Sequence, residues 1–479
     1  MNRGPGILRI LTLTLVLALC RMTSPLYSQE KTGGVPSLLE APTPYFHTYN
    51  LTSLFPVSAA LVRADTAMGR VMTLQNCLDA ALSGNPDHLK SHENLRTVTG
   101  QILLAWGNYM PTLRASYGLS QSNRTSSYLD PSGVLRTSGG ISKSTYANLN
   151  AGLTLFDAAS HYFDMKNARF LKKQRLSQLS SSELNLVDQV RRAYINALRQ
   201  EQLLIAAKEQ AESRKDQLKL AQARFSVGSV TKLDVLQAQV DLNDQQLVII
   251  QYENALKNAK MDLNRLMGGD LNRDYGLVDE FKIQDLSLDV DGLVTEAVKS
   301  HPDVKSMEYQ IRQLEGELWM GRLAYLPTVG TSLSYSRNED GLEFFPNRDK
   351  GRGLGFSLSW NIWDAFGRFS RNRQTEVSLN NLNYDFTSLK LDIERDIREN
   401  YIDLLRLQQR HQALNESRDL RRQSLELEQE RYRLGAASIL DLRQAQVDYS
   451  QAEVNYINSI YDFHTGLSTL TKNVGRELF

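Results

Sequence analysis

The sequence predicts a mostly α-helical fold that carries a transmembrane β-barrel, built from long coiled-coil helices in a tandem-duplicated unit. Three observations predict it. The chain repeats itself at a near-constant offset. Each copy holds a long stretch with neither Gly nor Pro, residues 153–227 and 368–434. Just before each stretch lie two segments in which apolar residues alternate with small or polar ones.

Composition bounds the answer. The 479 residues are 41% apolar, too apolar for a disordered chain, and 23% charged, too charged for a polytopic helical membrane protein. Beyond residue 20 no apolar run reaches the ~20 residues that a spanning helix needs. Arg3 and Arg9, the apolar run Ile10–Leu19 and the small Ser28 read as an export signal over residues 1–28. Two other readings stand beside it. One is lipidation at Cys20, against which Leu19 argues because that site wants a small residue. The other is an uncleaved anchor over 10–20. Loss of the leader removes Arg3, Arg9 and Arg21 and no acid, which takes the formal charge from +1 to −2. That balance predicts no nucleic-acid partner. It also leaves Cys77 as a single thiol, so no intrachain disulfide can form. Residues 29–71 are rich in Pro, Ser and Thr without periodicity and read as an extended arm.

The duplication is direct. Leu233-Asp-Val-Leu-Gln-Ala-Gln-Val-Asp241 recurs as Leu440-Asp-Leu-Arg-Gln-Ala-Gln-Val-Asp448. The same offset pairs Asp157 with Asp364, Tyr194 with Tyr401, Arg224 with Arg431 and Gly228 with Gly435. Further upstream Asn85-Pro86 pairs with His301-Pro302, and Pro111-Thr112 with Pro327-Thr328. The first unit is expected over 72–291 and the second over 292–479. Extra residues of the first copy, between Pro111 and Asp157, are expected in a loop tip.

A helix as long as 153–227 needs outside support. Leu186, Val190, Ala193, Ala197, Leu204 and Ala207 belong to a row with a 3.5-residue period that runs from Leu176 to Phe225. That period specifies coiled-coil packing. The second copy keeps the row more loosely, through Ile393, Ile397, Leu404 and Tyr432. Asp157 and Asp364 are candidate N-caps of the two long helices. Gly228 and Gly435 suit the left-handed position that ends them. Thr231-Lys-Leu-Asp234 and Ser438-Ile-Leu-Asp441 fit the capping box, in which a hydroxyl caps a helix and an acid follows at its third residue. A long helix, a glycine, two residues and a capped helix make a tight αα-hairpin. The tips fall at 225–234 and 432–441. Val227-Gly228-Ser229 and Leu434-Gly435-Ala436 put small, exposed backbone there, which suits close approach of a partner helix.

Four strands are expected, about 112–124, 145–156, 328–337 and 353–363. Leu149, Ala151, Leu153 and Leu155 alternate with Asn148, Asn150, Gly152 and Thr154. Leu354, Phe356, Leu358, Trp360 and Ile362 alternate with Gly355, Ser357, Ser359 and Asn361. One apolar face and one small or polar face suit a barrel wall with lipid outside and water inside. Four strands cannot close a barrel, and open edges do not exist in lipid. Two chains would fill the interior with side chains, whereas three give twelve strands and a hollow core. The long helix covers roughly 105 Å at 1.5 Å per residue. The return helix (about 231–267) and the helix before the strands (about 87–110) are each shorter. They are expected to stack end to end beside it, with 268–291 near the waist.

Leu74-Gln-Asn-Cys-Leu-Asp-Ala-Ala-Leu82, Asn85-Pro86, Arg224-Phe-Ser-Val-Gly228 with Asp234-Val-Leu-Gln-Ala-Gln239, and Arg431-Tyr-Arg-Leu-Gly435 with Asp441 together resemble the TolC family of outer-membrane efflux channels. The similarity covers about residues 72–475. It implies a homotrimeric channel-tunnel with its barrel among outer-membrane lipid and its helices crossing the periplasm. The hairpin tips would meet a periplasmic adaptor protein and an inner-membrane pump. In such channels a Tyr and an Arg of the second hairpin hold an Asp of the first and keep the mouth shut. Tyr432 and Asp234 match that pattern, but the Arg position falls at Ala437. The family's two acidic rings fall at Asp441 and Gln444, so only the outer one is acidic here.

No enzyme chemistry is written in the chain, and no cofactor is expected. His88 and His92 lie one helical turn apart without a third metal ligand nearby and read as a solvated pair. Gly351-Arg-Gly-Leu-Gly355 opens a strand with no helix after it, so it is no nucleotide loop. Asp289-Val-Asp-Gly292 lacks the remaining ligands of a calcium loop. The function expected is the passive exit duct of a tripartite efflux or type I secretion system. The alternative is an exported coiled-coil scaffold without a pore.

Overall fold

In the computed structural model the described residues are 71–279, 281–283, 288–342 and 349–476. The leader and arm expected over 1–71 lie outside them, except for Val71. Among these described residues fourteen elements follow in order. They are β1 (Val71–Met72), α1 (Leu74–Gly84), α2 (Pro86–Gly107), β2 (Thr112–Leu129), β3 (Leu135–Phe156), α3 (Ser160–Ser226) and α4 (Lys232–Met267). Then come β4 (Gly276–Leu277), α5 (Val290–Ser300), α6 (Pro302–Leu323), β5 (Thr328–Asp340), β6 (Asp349–Ser359), α7 (Gly367–Arg433) and α8 (Ile439–Val474). Among the described residues no helix is long and apolar enough to cross a membrane.

The two long helices, α3 and α7, have 67 residues each, ~100 Å of helix. α3 is lined by α4, α6 and α2, with α8 along part of its length, and α7 by α8 and α6. The junctions between the lining helices explain how two short rods serve one long one. Asn85 caps α2 by accepting the Asp87 and His88 amides at 2.9 and 3.1 Å, while its Nδ2 donates to the Leu266 carbonyl at 2.8 Å. One side chain thus satisfies the start of one helix and the end of the other. The backbones approach closely there. Gly268 has φ +71°, and a Cβ on it would stand 2.1 Å from the Gly84 carbonyl oxygen. In the second half His301 takes the place of Asn85. Its Nδ1 accepts the Asp303 amide at 3.2 Å, and it also bonds the Lys472 backbone.

The core sits at this waist. Cys77, Leu78 and Ala81 of α1 pack on Val190, Tyr194, Ile195 and Leu198 of α3 and on Leu263 of α4. The Tyr194 hydroxyl lies 3.0 Å from the Met72 carbonyl and 2.8 Å from that of Val278, and it accepts the Val278 amide at 3.1 Å. This pins the parallel pair β1–β4 to the long helix. A second cluster joins Leu293, Val294 and Ala297 of α5 to Ile393, Ile397 and Leu404 of α7 and Phe463 and Leu470 of α8. The heptad row is mostly buried in its middle, from Leu186 to Ala221, with Ala193 and Ala211 half-buried, and it is exposed at Leu176 and Phe225. α3 meets α8 along polar contacts: Ser468 with Asp188, Arg199 with Asp462 and Gln210 with Glu453.

The sheet has the order β2-β3-β5-β6, antiparallel throughout. Its strands differ from the sequence expectation. β2 and β3 pair without interruption to Leu129 and Leu135, so the extra residues of the first copy lengthen the hairpin instead of forming a loop. Polar residues from Ser120 to Ser127 carry no lipid signature, but ladder hydrogen bonds hold them as strand. The turn closes where Gly133 adopts φ +78° and Asp130 accepts the amides of Ser132 and Val134. β6 ends at Ser359, so Trp360 and Ile362 lie beyond it.

Asp157 and Asp364 are not the N-caps. The chain turns from strand to helix through two left-handed residues, Ala158-Ala159 and Ala365-Phe366, and α3 and α7 begin after them. Each aspartate instead reaches over this turn. Asp157 accepts the His161 amide at 2.6 Å and Asp364 the Arg368 amide at 2.8 Å. His88 is buried, not solvated. Among the described residues no group of three metal-ligating side chains forms.

The Asn85 junction generates a test. Asn85→Ala removes a helix cap and leaves the Leu266 carbonyl without its partner, a loss of roughly 1–3 kcal/mol. The thermal unfolding temperature followed by circular dichroism should fall. An unchanged midpoint would deny the junction a role in stability.

Candidate functional site

Two regions hold the residues expected to act: the sheet and the hairpin tips. The pairing register sorts the sheet into faces. Leu113, Ala151, Leu333 and Leu354 form one cross-strand row, and Leu153, Thr331 and Phe356 the next. The opposite face carries Thr112, Gly152, Ser332 and Gly355, then Arg114, Asn150, Ser334 and Gly353. The apolar face is open. Leu333 is 58% exposed, Leu354 68% and Phe356 73%. A lone soluble sheet cannot leave such a face in water. Against lipid it is satisfied, while the Ser, Asn and Gly face borders water.

The apolar band has a slanted edge. It ends after Leu354 on β6, where Arg352 follows, and near Leu333 on β5, with Tyr335 and Arg337 beyond. On β3 it runs to Ala147, with Thr145 and Lys143 beyond, and on β2 to Leu119. The edge therefore climbs across the sheet, as it must when strands tilt ~35–45° to the membrane normal. At the other border Trp106, Tyr109, Trp360, Trp363 and Phe366 stand exposed at the handover to helix, like an interfacial aromatic belt.

Both hairpin tips are built alike. Gly228 and Gly435 have φ +77° and +78°. The amides of Gly228 and Ser229 donate to the carbonyls of Phe225 and Arg224, and those of Gly435 and Ala436 to Tyr432 and Arg431. Thr231 and Ser438 cap α4 and α8 in complete capping boxes. Their hydroxyls accept the amides of Asp234 and Asp441 at 3.3 and 3.2 Å. In return those carboxylates accept the amides of Thr231 and Ser438 at 2.7 and 3.1 Å. Hydrogen bonds from Ser438 hold the Asp441 carboxyl below the usual carboxylate range. Protonation of Asp441, which would weaken its half of the capping box, is thereby moved to lower pH. Val227 and Leu434 are 74% and 77% exposed. Gln444 donates to Asp448 on its own helix at 2.9 Å.

The expected Tyr432–Asp234 hydrogen bond is not formed within the protomer. The Asp234 carboxylate is occupied by Thr231, and the buried Tyr432 hydroxyl has no partner. Arg224 ties the hairpins at the tip instead, and about two turns further along Arg443 of α8 pairs with the buried Asp241 of α4 at 3.3 Å. The two terminal nitrogens of Arg224 donate to the carbonyls of Tyr432 and Arg433 at 2.9 and 2.8 Å, and its guanidinium lies 5.2 Å from the Tyr432 ring centre. A cation on the last carbonyls of a helix also meets the negative end of the helix dipole. A sequence signal for this clamp existed. Arg431, the counterpart of Arg224, spends itself on Glu428 at 2.6 Å. The position matching Glu428 in the first copy is Ala221, so Arg224 has no acid one turn back and reaches across.

The profile of one protein family, described as Outer membrane efflux protein, matches residues 77–269 and 293–476. The chain belongs to that family. Two curated relatives illustrate the range. Protein CyaE of Bordetella pertussis is 22% identical over 391 residues, covering 81% of this chain and 80% of that protein. Outer membrane efflux protein BepC of Brucella suis is 20% identical over 437 residues, covering 88% and 92%. The Campylobacter jejuni CmeC outer membrane channel shares the fold with a TM-score of 0.72 at 16% identity, over 84% of this chain and 85% of that one. The TolC-like resemblance read from the sequence thus stands. This member of the family is an outer-membrane protein whose helices extend into the periplasm, and a passive conduit rather than an enzyme. None of these matches supports a poreless scaffold.

The clamp yields a prediction. Arg224→Ala breaks two charge-assisted bonds, each worth ~1.5–3 kcal/mol. Amides in the last turn of α7 should then exchange hydrogen at least ~10-fold faster. Far-ultraviolet circular dichroism should stay unchanged. Unaltered exchange there would remove Arg224 from the hairpin tie.

Proposed function

We propose that three copies of this chain form a twelve-stranded barrel continued by a helical tunnel, the exit duct of a tripartite efflux or type I secretion machine. The observation that carries this reading is the pair of free edges on β2 and β6 in a sheet with a lipid-compatible face. Backbone groups on those edges need partners in lipid, and β2 of one copy against β6 of the next supplies them. The channel units span 72–291 and 292–479, after a signal peptide (1–28) and an arm (29–71). Mass measurement in detergent should give a trimer, and planar bilayers should show conductance. In this reading Asp441 from three copies gathers at the periplasmic mouth with Asp234, Tyr432 and Gln444 nearby. The same recordings should then show cation selectivity that Asp441→Asn weakens. A conducting monomer or dimer would sink the trimer, and unchanged selectivity would leave Asp441 as a helix cap alone.

The tips Val227-Gly228-Ser229 and Leu434-Gly435-Ala436 would dock a periplasmic adaptor, which joins the duct to an inner-membrane pump. Exposed apolar Val227 and Leu434 flanking bare glycine backbone support this. Gly228 itself is a poor probe, because its left-handed backbone strains any larger residue. Val227→Glu with Leu434→Glu is the better variant. It should abolish export, scored as loss of drug resistance or of secreted product, while trimers still reach the membrane. Full export with both changes would refute docking there.

A further inference from the structure

The outward face of the sheet ends in an arrangement that the duct does not use. Arg337 on β5 and Lys350 on β6 are direct cross-strand partners, and Tyr335 stands directly opposite Arg352. By the alternation of the strands all four share the face of Leu333 and Leu354. Like charges placed directly opposite in a sheet are destabilising. Among the described residues none of these three cations forms an ion pair. The neighbouring acids do not relieve them. Asp340 and Asp349 alternate to the opposite face, and Glu339, which shares the face, is engaged in an interaction of its own.

The two guanidiniums are held in place without being neutralised. Arg337 Nε donates to the Tyr335 hydroxyl at 2.7 Å, and its guanidinium lies 5.7 Å from the Tyr335 ring centre. Arg352 lies 5.9 Å from the same ring centre. One aromatic ring thus gathers two guanidiniums beside a lysine. With Nε engaged, the terminal nitrogens of Arg337 stay available, and a guanidinium fork matches phosphate oxygens.

Position selects the anion. The cluster sits at the edge of the apolar band, on the side away from the helices, just past Leu333 and Leu354. That is headgroup level on the outer leaflet. We propose that Arg337, Lys350 and Arg352 bind the phosphates of an anionic outer-leaflet lipid. The proposal rests on the barrel reading above. Free phosphate would meet the same nitrogens, but the site faces lipid and not bulk water, so the lipid-borne group is the ligand.

The test uses the full protein in nanodiscs of phosphatidylcholine doped with diphosphorylated lipid A, with retained lipid counted by native mass spectrometry. Wild type should retain lipid A at least ~10-fold better than lipid A with both phosphates removed. Arg337→Gln with Arg352→Gln should lose that preference, and Arg337→Lys with Arg352→Lys should keep part of it. Arg114→Gln, on the water-lined face, should keep all of it. Equal retention of the two lipids by wild type overturns the site without reliance on any variant. So does displacement of lipid A by millimolar inorganic phosphate, which would assign the cluster to the free ion. Conductance of the same preparation separates the two readings. A conducting protein without lipid preference overturns the phosphate site alone, whereas a protein that neither inserts nor conducts overturns the barrel reading and the site with it.

Discussion

Hydrocarbon offers no hydrogen bonds, and the rest of this structure follows from that. A backbone N–H or C=O exposed there costs several kcal/mol. The sheet β2-β3-β5-β6 meets the demand internally along three strand pairs and fails at its two outer edges. A chain with this sheet leaves both outer edges unpaired within itself, and that is the need the proposed assembly answers. The lateral demands differ from the vertical ones. Across the membrane, the apolar face needs lipid from about Leu358 to Leu333 on β5 and β6 and up to Leu119 on β2. Above that slanted edge the β2–β3 hairpin carries on as a polar ribbon, because ladder bonds hold it without any buried face.

The helical part solves a different problem. Helices of 67 residues have no globular core to bend around, so each is propped by two shorter helices joined end to end. A break in a rod would ordinarily expose four carbonyls and four amides. Here the break is sealed by the Asn85 side chain in one half and by His301 in the other. The waist core of α1, α3 and α4 forms at that same level, around Tyr194. Strength is thus concentrated where the column is discontinuous.

Much of this was legible beforehand, for reasons that can be named. The long helices declare themselves because Gly and Pro are absent and a 3.5-residue period persists. The capping boxes declare themselves because Thr231/Asp234 and Ser438/Asp441 are local, with both partners three residues apart. What was not legible depends on long-range geometry. Asp157 looked like an N-cap because it follows an apolar run, yet two left-handed alanines carry the chain past it, and alanine gives no warning of that backbone. The extended β2–β3 hairpin was hidden because its residues beyond Leu119 alternate too weakly to mark a buried face. The Tyr432–Asp234 bond rests on resemblance to a family pattern alone, and in this chain the capping box already claims the carboxylate.

The Arg224 clamp shows how a duplicated unit acquires a direction. Two copies with identical tips would have no reason to prefer one relative register over another. A single difference, Ala221 in one copy against Glu428 in the other, frees Arg224 and occupies Arg431. The first hairpin then holds the second by its final carbonyls, while the second reaches back further along, through Arg443 to Asp241. Spreading the tips apart must break both bonds and uncover the buried Tyr432 ring. Two bonds of ~1.5–3 kcal/mol each set a scale of ~3–6 kcal/mol per protomer, before water repays part of it. Any separation of the hairpins is therefore opposed by the same residues that fix their register, even though Ala437 offers no arginine.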